Sequence, residues 1–136
     1  MVEIKLTYEG DLHCKAVHGP SGDTLVTDAP VDNNGRGQAF SPTDLVAAAL
    51  ASCMATVMGI AAQRKEIPLE GMTVTARKFM SADTPRRIVK LEVDINVPLP
   101  ADHPERVLLE NTANACPVKK SLDPAVEVVV NWEWVG

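Results

Sequence analysis

The sequence contains few aromatic residues, few cysteines and no excess of positive charge. Aromatic side chains make up 4% of the 136 residues, so a core must be built from aliphatic side chains, Ala and Met. The formal net charge of -5 argues against a nucleic-acid partner, because phosphate binding requires a basic surface. A hydrophobic share of 46% and a charged share of 23% are typical of a globular protein, and the length predicts one domain over residues 1–136.

The three cysteines are too few for a disulfide scaffold, and none forms the C-x-x-C pair of a zinc ribbon. Free thiols fit a reducing compartment, and no uninterrupted apolar segment at the N-terminus marks a secretory signal, so we expect a cytoplasmic protein. No cofactor or metal is expected. His13, Cys14 and His18 are an unfavourable metal set, because neighbouring residues of a strand point to opposite faces.

Apolar and polar residues alternate at the start of the chain, as in a half-buried strand. The apolar face comprises Val2, Ile4, Leu6 and Tyr8. A second strand over residues 12–16 and a short third one over residues 24–27 follow, separated by turns that contain Gly and Pro. Residues 28–40 are rich in Asn and Gly and predict a long loop, in which Arg36 is the only cation.

The segment after this loop predicts a helix that is apolar on every side. Ser41 caps its start, Pro42 suits the first helical position, and Asp44 completes a capping box. No charged side chain occurs over residues 45–62, so such a helix must be buried. A membrane span is the alternative, because the run is long enough. Its many Ala residues, its Ser and Thr, and the amphipathic strands around it favour a protein without membrane contact.

A hairpin, a second helix and a last strand complete the predicted elements. Residues 72–80 and 86–97 form the arms of the hairpin, and the second arm alternates like an antiparallel strand with one wet face. The second helix starts within residues 102–105, and residues 126–134 form the last strand. Six short strands, a long buried central helix and a second helix make an α+β fold. One chain's sheet covers one side of the central helix, so we expect a homodimer with the central helices in its middle.

Cys53, in the middle of the central helix, has two candidate roles. The first is packing, since Cys is among the residues most often buried, and the same holds for Cys116 and Cys14. The second is that of a nucleophile, which requires a nearby cation because a thiol with a pKa of about 8.5 is only a few per cent ionised at pH 7. The helix offers no cation within two turns of Cys53. The candidates are Arg36 in the preceding loop and Arg87, which shares the inward parity of the hairpin strand.

The motifs around two of the cysteines resemble those of the OsmC/Ohr family, the osmotically inducible and organic hydroperoxide resistance proteins. Ser41-Pro42-Thr43-Asp44-Leu45 begins an Ala-rich helix that reaches Ala51-Ser52-Cys53-Met54-Ala55. Ala115-Cys116-Pro117-Val118 follows the second helix. The order of strands and helices also matches, so the resemblance covers nearly the whole chain, and it is to the OsmC-like branch.

The resemblance implies an OsmC-like fold, an intertwined homodimer and a thiol-dependent peroxidase that reduces organic hydroperoxides. By the same resemblance Cys53 is the peroxidatic residue, Cys116 resolves it to a disulfide, and Arg36 is the cation near the thiolate. A dithiol, such as a lipoylated protein, regenerates the enzyme. The peroxidase branches have Glu after the helix-start Pro, where this chain has Thr43. This difference leaves an alternative open: a non-enzymatic dimer that binds an apolar small molecule, with structural cysteines.

Overall fold

The computed structural model describes all 136 residues and shows two compact units, residues 1–46 and 47–136. The strands are Ile4–Gly10 (β1), His13–His18 (β2), Thr24–Asp28 (β3), Thr73–Met80 (β4), Ile88–Val97 (β5) and Glu127–Trp134 (β6). The α-helices are Pro42–Arg64 (α1), Arg106–Asn114 (α2) and Pro117–Leu122 (α3). These elements confirm the predicted α+β class. One domain over residues 1–136 stays a prediction.

The strands β1, β2 and β3 form an antiparallel sheet in that order. Leu6 pairs with Ala16, and Ala16 pairs with Leu25, so these side chains share one face of the sheet. The predicted burial of this face is wrong for the single chain, because Ile4, Leu6 and Tyr8 are 63%, 60% and 61% exposed. Alternation marks a face that is suited to burial, but it does not supply the surface that covers it.

The segment between β3 and α1 is the predicted loop, and its own backbone orders it. A hydrogen bond of 3.1 Å from the Asp28 N–H to the Phe40 carbonyl closes its two ends. A short 3₁₀ turn, Val31–Asn33, lies inside it. Gly35 lies so close to the Ala29 carbonyl that a Cβ atom at this position would collide with it. The path of this loop is therefore fixed by close backbone packing.

The predicted capping box at the start of α1 is confirmed. The Asp44 N–H donates to Ser41 Oγ, and the Ser41 N–H donates to the Asp44 carboxylate, each at 3.0 Å. The two bonds satisfy N–H groups that have no partner within the helix.

One stripe of α1 is buried, with members three or four residues apart: Ala47, Leu50, Met54, Met58 and Ala62. Ile60, outside this stripe, is 47% exposed, in line with the expectation that one chain covers one side of the helix; cover of the other faces by a second copy stays a prediction. Of the most apolar 18-residue stretch of the helix, a share of 28% is buried. By length and composition α1 could cross a membrane, which is weak evidence because the core helices of soluble proteins pass the same test.

The strands β4, β5 and β6 form a second sheet in that order. The pair β4–β5 is antiparallel, as the hairpin predicted, and β6 runs parallel to β5. The alternation predicted for the central strand is confirmed, because Leu91, Val93, Ile95 and Val97 have no exposed surface. The prediction of one six-stranded sheet is wrong: the strands form two sheets of three.

The second helical region consists of two helices. The predicted start within residues 102–105 is too early, since α2 begins at Arg106 and no side chain caps it. Pro104 disfavours helical backbone at His103, which delays the helix. The buried residues of α2, Leu109 and Ala113, lie one turn apart and contribute to the same core as α1 and β5.

Candidate functional site

Cys53 and Cys116 lie next to each other in the unit formed by residues 47–136. Cys53 is on α1, beside the buried stripe, and is partly exposed, whereas Cys116 follows α2 and has no exposed surface. Cys53 lies close enough to Cys116 to act on the pKa of its thiol, and both cysteines are free. The structure therefore brings together two of the predicted site residues. Their chemical roles stay predictions.

Pro117 explains why Cys116 lies where α2 stops. The residue before Pro is biased towards extended backbone, and Cys116 has φ -62° and ψ 146°. Pro117 then takes the first position of α3, where its missing N–H is not needed. Cys116 thus caps α3, and its Sγ accepts a hydrogen bond from the Lys119 N–H at 3.4 Å. This cap was not predicted, although Pro117, which suits the first position of a helix, is a signal for it.

The surroundings of Cys116 favour its protonated form. Burial raises the pKa of the Cys116 thiol, and the neighbouring Cys53 raises it further. The backbone N–H groups of Lys119 and Val118 act in the opposite direction. Because the net shift is upward, the Cys116 thiol keeps its proton at neutral pH.

Arg87 points to solvent at the tip of the hairpin and does not take the inward orientation that its parity with the strand had made a candidate. Its side chain is 49% exposed, and its guanidinium donates to Asp83 at 2.8 Å and to the Pro85 carbonyl at 3.0 Å. The parity argument failed because β5 begins at Ile88 and its register against β4 shifts near that end. Alternation along a strand does not extend past such an irregularity.

Arg36 lies exposed in the loop after β3, in the unit formed by residues 1–46. It is close enough to Asp28 to act on that buried carboxylate. A hydrogen bond of 2.6 Å with His13 is the main cause that lowers the pKa of Asp28, and the charge of Arg36 adds to it. The second carboxylate oxygen accepts the Gln38 N–H at 3.2 Å. Asp28 therefore anchors the loop that carries Arg36, whose effect on Cys53 stays a prediction.

An apolar groove runs between α1 and α2. Its volume is about 350 Å³, and it is lined by Val57, Ile60, Ala61, Arg64, Lys65, Leu108 and Thr112. Cys53, Val57 and Ala61 follow one another at four-residue intervals, so they share one face of α1. Arg64 and Lys65 stand at the far end of this face from Cys53, and Lys65 forms an ion pair with Glu105 at 3.3 Å. The groove therefore offers apolar surface on the side of α1 that carries Cys53.

No three His, Cys, Asp or Glu side chains are arranged to hold a metal ion. The three residues weighed as a metal set have other neighbours: His13 binds Asp28, His18 binds Ser21 Oγ at 2.6 Å, and Cys14 pairs with Tyr8 across the sheet.

Comparisons of this chain with protein families and with solved structures point to the same family. The model of OsmC-like proteins matches residues 35–131. A solved structure from Psychrobacter arcticus 273-4, named for an osmotic stress induced and detoxification response, is 45% identical, with a TM-score of 0.90 over 97% of this chain and 96% of that one.

More distant solved structures share the fold. An organic hydroperoxide resistance protein OsmC from Legionella pneumophila is 17% identical, with a TM-score of 0.78 over 98% of this chain and 96% of that one. An OsmC-like protein from Mycoplasma pneumoniae is 15% identical, with a TM-score of 0.82 over 100% and 98%. The comparison with curated proteins gave no match.

Proposed function

Because this chain belongs to the OsmC-like protein family, we propose that it is a thiol-dependent peroxidase that reduces organic hydroperoxides in the cytoplasm. The observation that carries the proposal is that Cys53 and Cys116 are neighbours, one partly exposed and the other buried. Structural relatives named organic hydroperoxide resistance proteins support the substrate class.

The proposed reaction uses both thiols. The Cys53 thiolate attacks the terminal oxygen of the hydroperoxide, the O–O bond breaks, an alcohol leaves and Cys53 becomes a sulfenic acid. The Cys116 thiolate then attacks the Cys53 sulfur, the S–O bond breaks, water leaves and a disulfide forms. A dithiol returns two electrons by thiol–disulfide exchange. Arg36 supplies the positive charge that favours the Cys53 thiolate in this scheme.

The groove between α1 and α2 supports organic over inorganic peroxide as the substrate. Val57 and Ala61 present apolar surface on the α1 face that carries Cys53. Each methylene of a substrate buried there contributes about 0.8 kcal/mol, a gain that hydrogen peroxide lacks. We therefore expect a higher kcat/KM for cumene hydroperoxide than for hydrogen peroxide.

Single substitutions test the proposal, with a dithiol such as dihydrolipoamide as reductant. Cys53→Ser should abolish turnover, and Cys116→Ser should permit one turnover at most. Cys14→Ser is the matched control and should keep the wild-type rate. Steady-state activity that survives Cys53→Ser would refute the peroxidase mechanism.

A homodimer is part of the proposal. The apolar faces of α1 and of β1 are both left uncovered in the single chain, as the exposed Ile60 and Leu6 illustrate. Faces of this composition gain free energy when a second copy covers them. Sedimentation as a compact monomer at micromolar concentration would contradict the dimer.

The alternative is a non-enzymatic dimer that holds an apolar small molecule. The complete burial of Cys116 favours it, because a cysteine without exposed surface is also an ordinary packing residue. Titration of a Cys14→Ser protein separates the two functions. Cysteines that react with a thiol reagent only after unfolding support the binding dimer, whereas rapid reaction of Cys53 in the native protein supports the peroxidase.

A further inference from the structure

The two sulfurs of a Cys53–Cys116 disulfide are unequal targets for a reducing thiol. In the single chain Cys53 keeps exposed surface on α1, whereas Cys116 is 0% exposed, and a second copy that covers α1 would not uncover Cys116. The first turn of α3 lies against Cys116, with the Lys119 nitrogen 3.4 Å from Sγ. A thiolate attacks a disulfide sulfur along the S–S axis, so that sulfur needs open space on the side away from its partner. Cys116 lacks such access unless the chain opens around it.

Leaving-group chemistry taken alone favours attack on Cys116, with Cys53 as the leaving group. The sulfur whose thiol has the lower pKa leaves faster, and burial raises the pKa of Cys116. The backbone N–H groups of Lys119, which donates to Sγ, and of Val118 reduce this disadvantage, because they stabilise negative charge on the sulfur. A poor leaving group slows exchange by a graded factor, whereas a blocked approach prevents bond formation altogether. Accessibility therefore decides the direction.

We infer that reduction of this disulfide runs in one direction, with the incoming thiolate bonding to Cys53 and Cys116 leaving. One S–S bond forms between the reductant and Cys53 Sγ, and the Cys53–Cys116 bond breaks. Its electron pair stays on Cys116 as a thiolate, which then takes a proton from water. The second thiol of the reductant then attacks the reductant sulfur that is bonded to Cys53. The bond to Cys53 breaks, Cys53 leaves as a thiolate, and the reductant becomes a disulfide. The inference rests on the proposed function for its place in a catalytic cycle.

Trapping the mixed disulfide tests the direction. A Cys14→Ser protein, which keeps only the two relevant thiols, is oxidised with diamide so that the test does not depend on peroxidase activity. It is then exposed to millimolar glutathione for short times, quenched with acid, alkylated and mapped by mass spectrometry. We expect glutathione on Cys53 and the alkyl group on Cys116, in at least tenfold excess over the reverse pattern. Glutathione on Cys116, or equal amounts on both residues, would overturn the inference.

A second measurement covers the case in which the disulfide closes again too fast for an adduct to be trapped. In the Cys14→Ser background, Cys116→Ser leaves Cys53 as the only thiol, and Cys53→Ser leaves Cys116. Native Cys53 should react with Ellman's reagent at least tenfold faster than native Cys116, and the difference should vanish in denaturant. Equal native rates would overturn the inference. Failure of the peroxidase proposal shows itself separately, as no disulfide with cumene hydroperoxide in a protein that diamide oxidises normally.

Discussion

Disulfide formation after oxidation of Cys53 should accelerate as the pH rises from 6.5 to 8.5. The attacking group is the Cys116 thiolate, and burial, the largest influence on this residue, raises its pKa. A thiol with an ordinary pKa of about 8.5 is roughly 3% ionised at pH 7, and a thiol with a raised pKa is ionised less. The thiolate fraction, and with it the rate, should therefore rise about tenfold per pH unit over this range.

Oxidation of Cys53 does not remove this pH dependence. A negative charge on Cys53, which acts on the pKa of Cys116 in the same direction as burial, is absent once the sulfenic acid has formed. Burial remains, because it depends on the packing of α1, α2 and α3 and not on the charge of Cys53. The expected direction is therefore the same in the oxidised intermediate.

The assay separates the two chemical steps. A Cys14→Ser protein is mixed with one equivalent of cumene hydroperoxide and quenched at successive times with dimedone, which traps sulfenic acid, and with an alkylating agent. Mass spectrometry then gives the loss of sulfenic acid and the gain of disulfide. Cys116→Ser is the control, in which the sulfenic acid should persist at every pH. A rate of disulfide formation that stays constant from pH 6.5 to 8.5 would refute the reasoning, because it would show that Cys116 is already ionised.

Three further predictions concern stability, measured at fixed protein concentration by urea or thermal unfolding. Leu50→Ala removes a fully buried side chain and should cost about 2–5 kcal/mol, whereas the exposed control Lys120→Ala should change stability by less than about 0.5 kcal/mol. Asp28→Asn should lower the melting temperature at pH 7. The pKa of Asp28 is lowered in the folded protein, so its carboxylate stabilises the fold above the unfolded value of about 3.9, and this stabilisation is lost as the pH falls through the folded value. The difference in melting temperature between the variant and the wild type should therefore shrink towards pH 3. A difference that does not change with pH would contradict the assignment. Gly35→Ala should cost about 1–3 kcal/mol, because the new Cβ displaces the Ala29 carbonyl, and an unchanged stability would show that the loop is looser than described.

Local sequence signals predicted the parts of the fold that neighbouring residues determine. The capping box of Ser41 and Asp44 depends on a three-residue spacing, and it is present as expected. The alternation in β5 gave the correct buried face. Both signals act over a few residues, so they do not depend on which segment of the chain packs against which.

The features that were predicted wrongly depend on distant pairing. No residue within β6 indicates that it joins β5 in parallel, or that β1–β3 form a sheet of their own. Burial of β1 was inferred from its alternation, which cannot say what covers the apolar face. The orientation of Arg87 was extrapolated beyond the end of a strand. In each case the sequence near the residue does not show which other part of the protein packs against it.

The contact between Cys53 and Cys116 joins an early part of the polypeptide to a late one. Until the segment with α2 and α3 has been synthesised and has folded onto α1, an incomplete chain carries Cys53 without the thiol that would capture its sulfenic acid. Oxidant that reaches such a chain drives this residue on to the irreversible sulfinic acid. Under the proposed mechanism, newly made protein is therefore more vulnerable to irreversible oxidation than the finished protein.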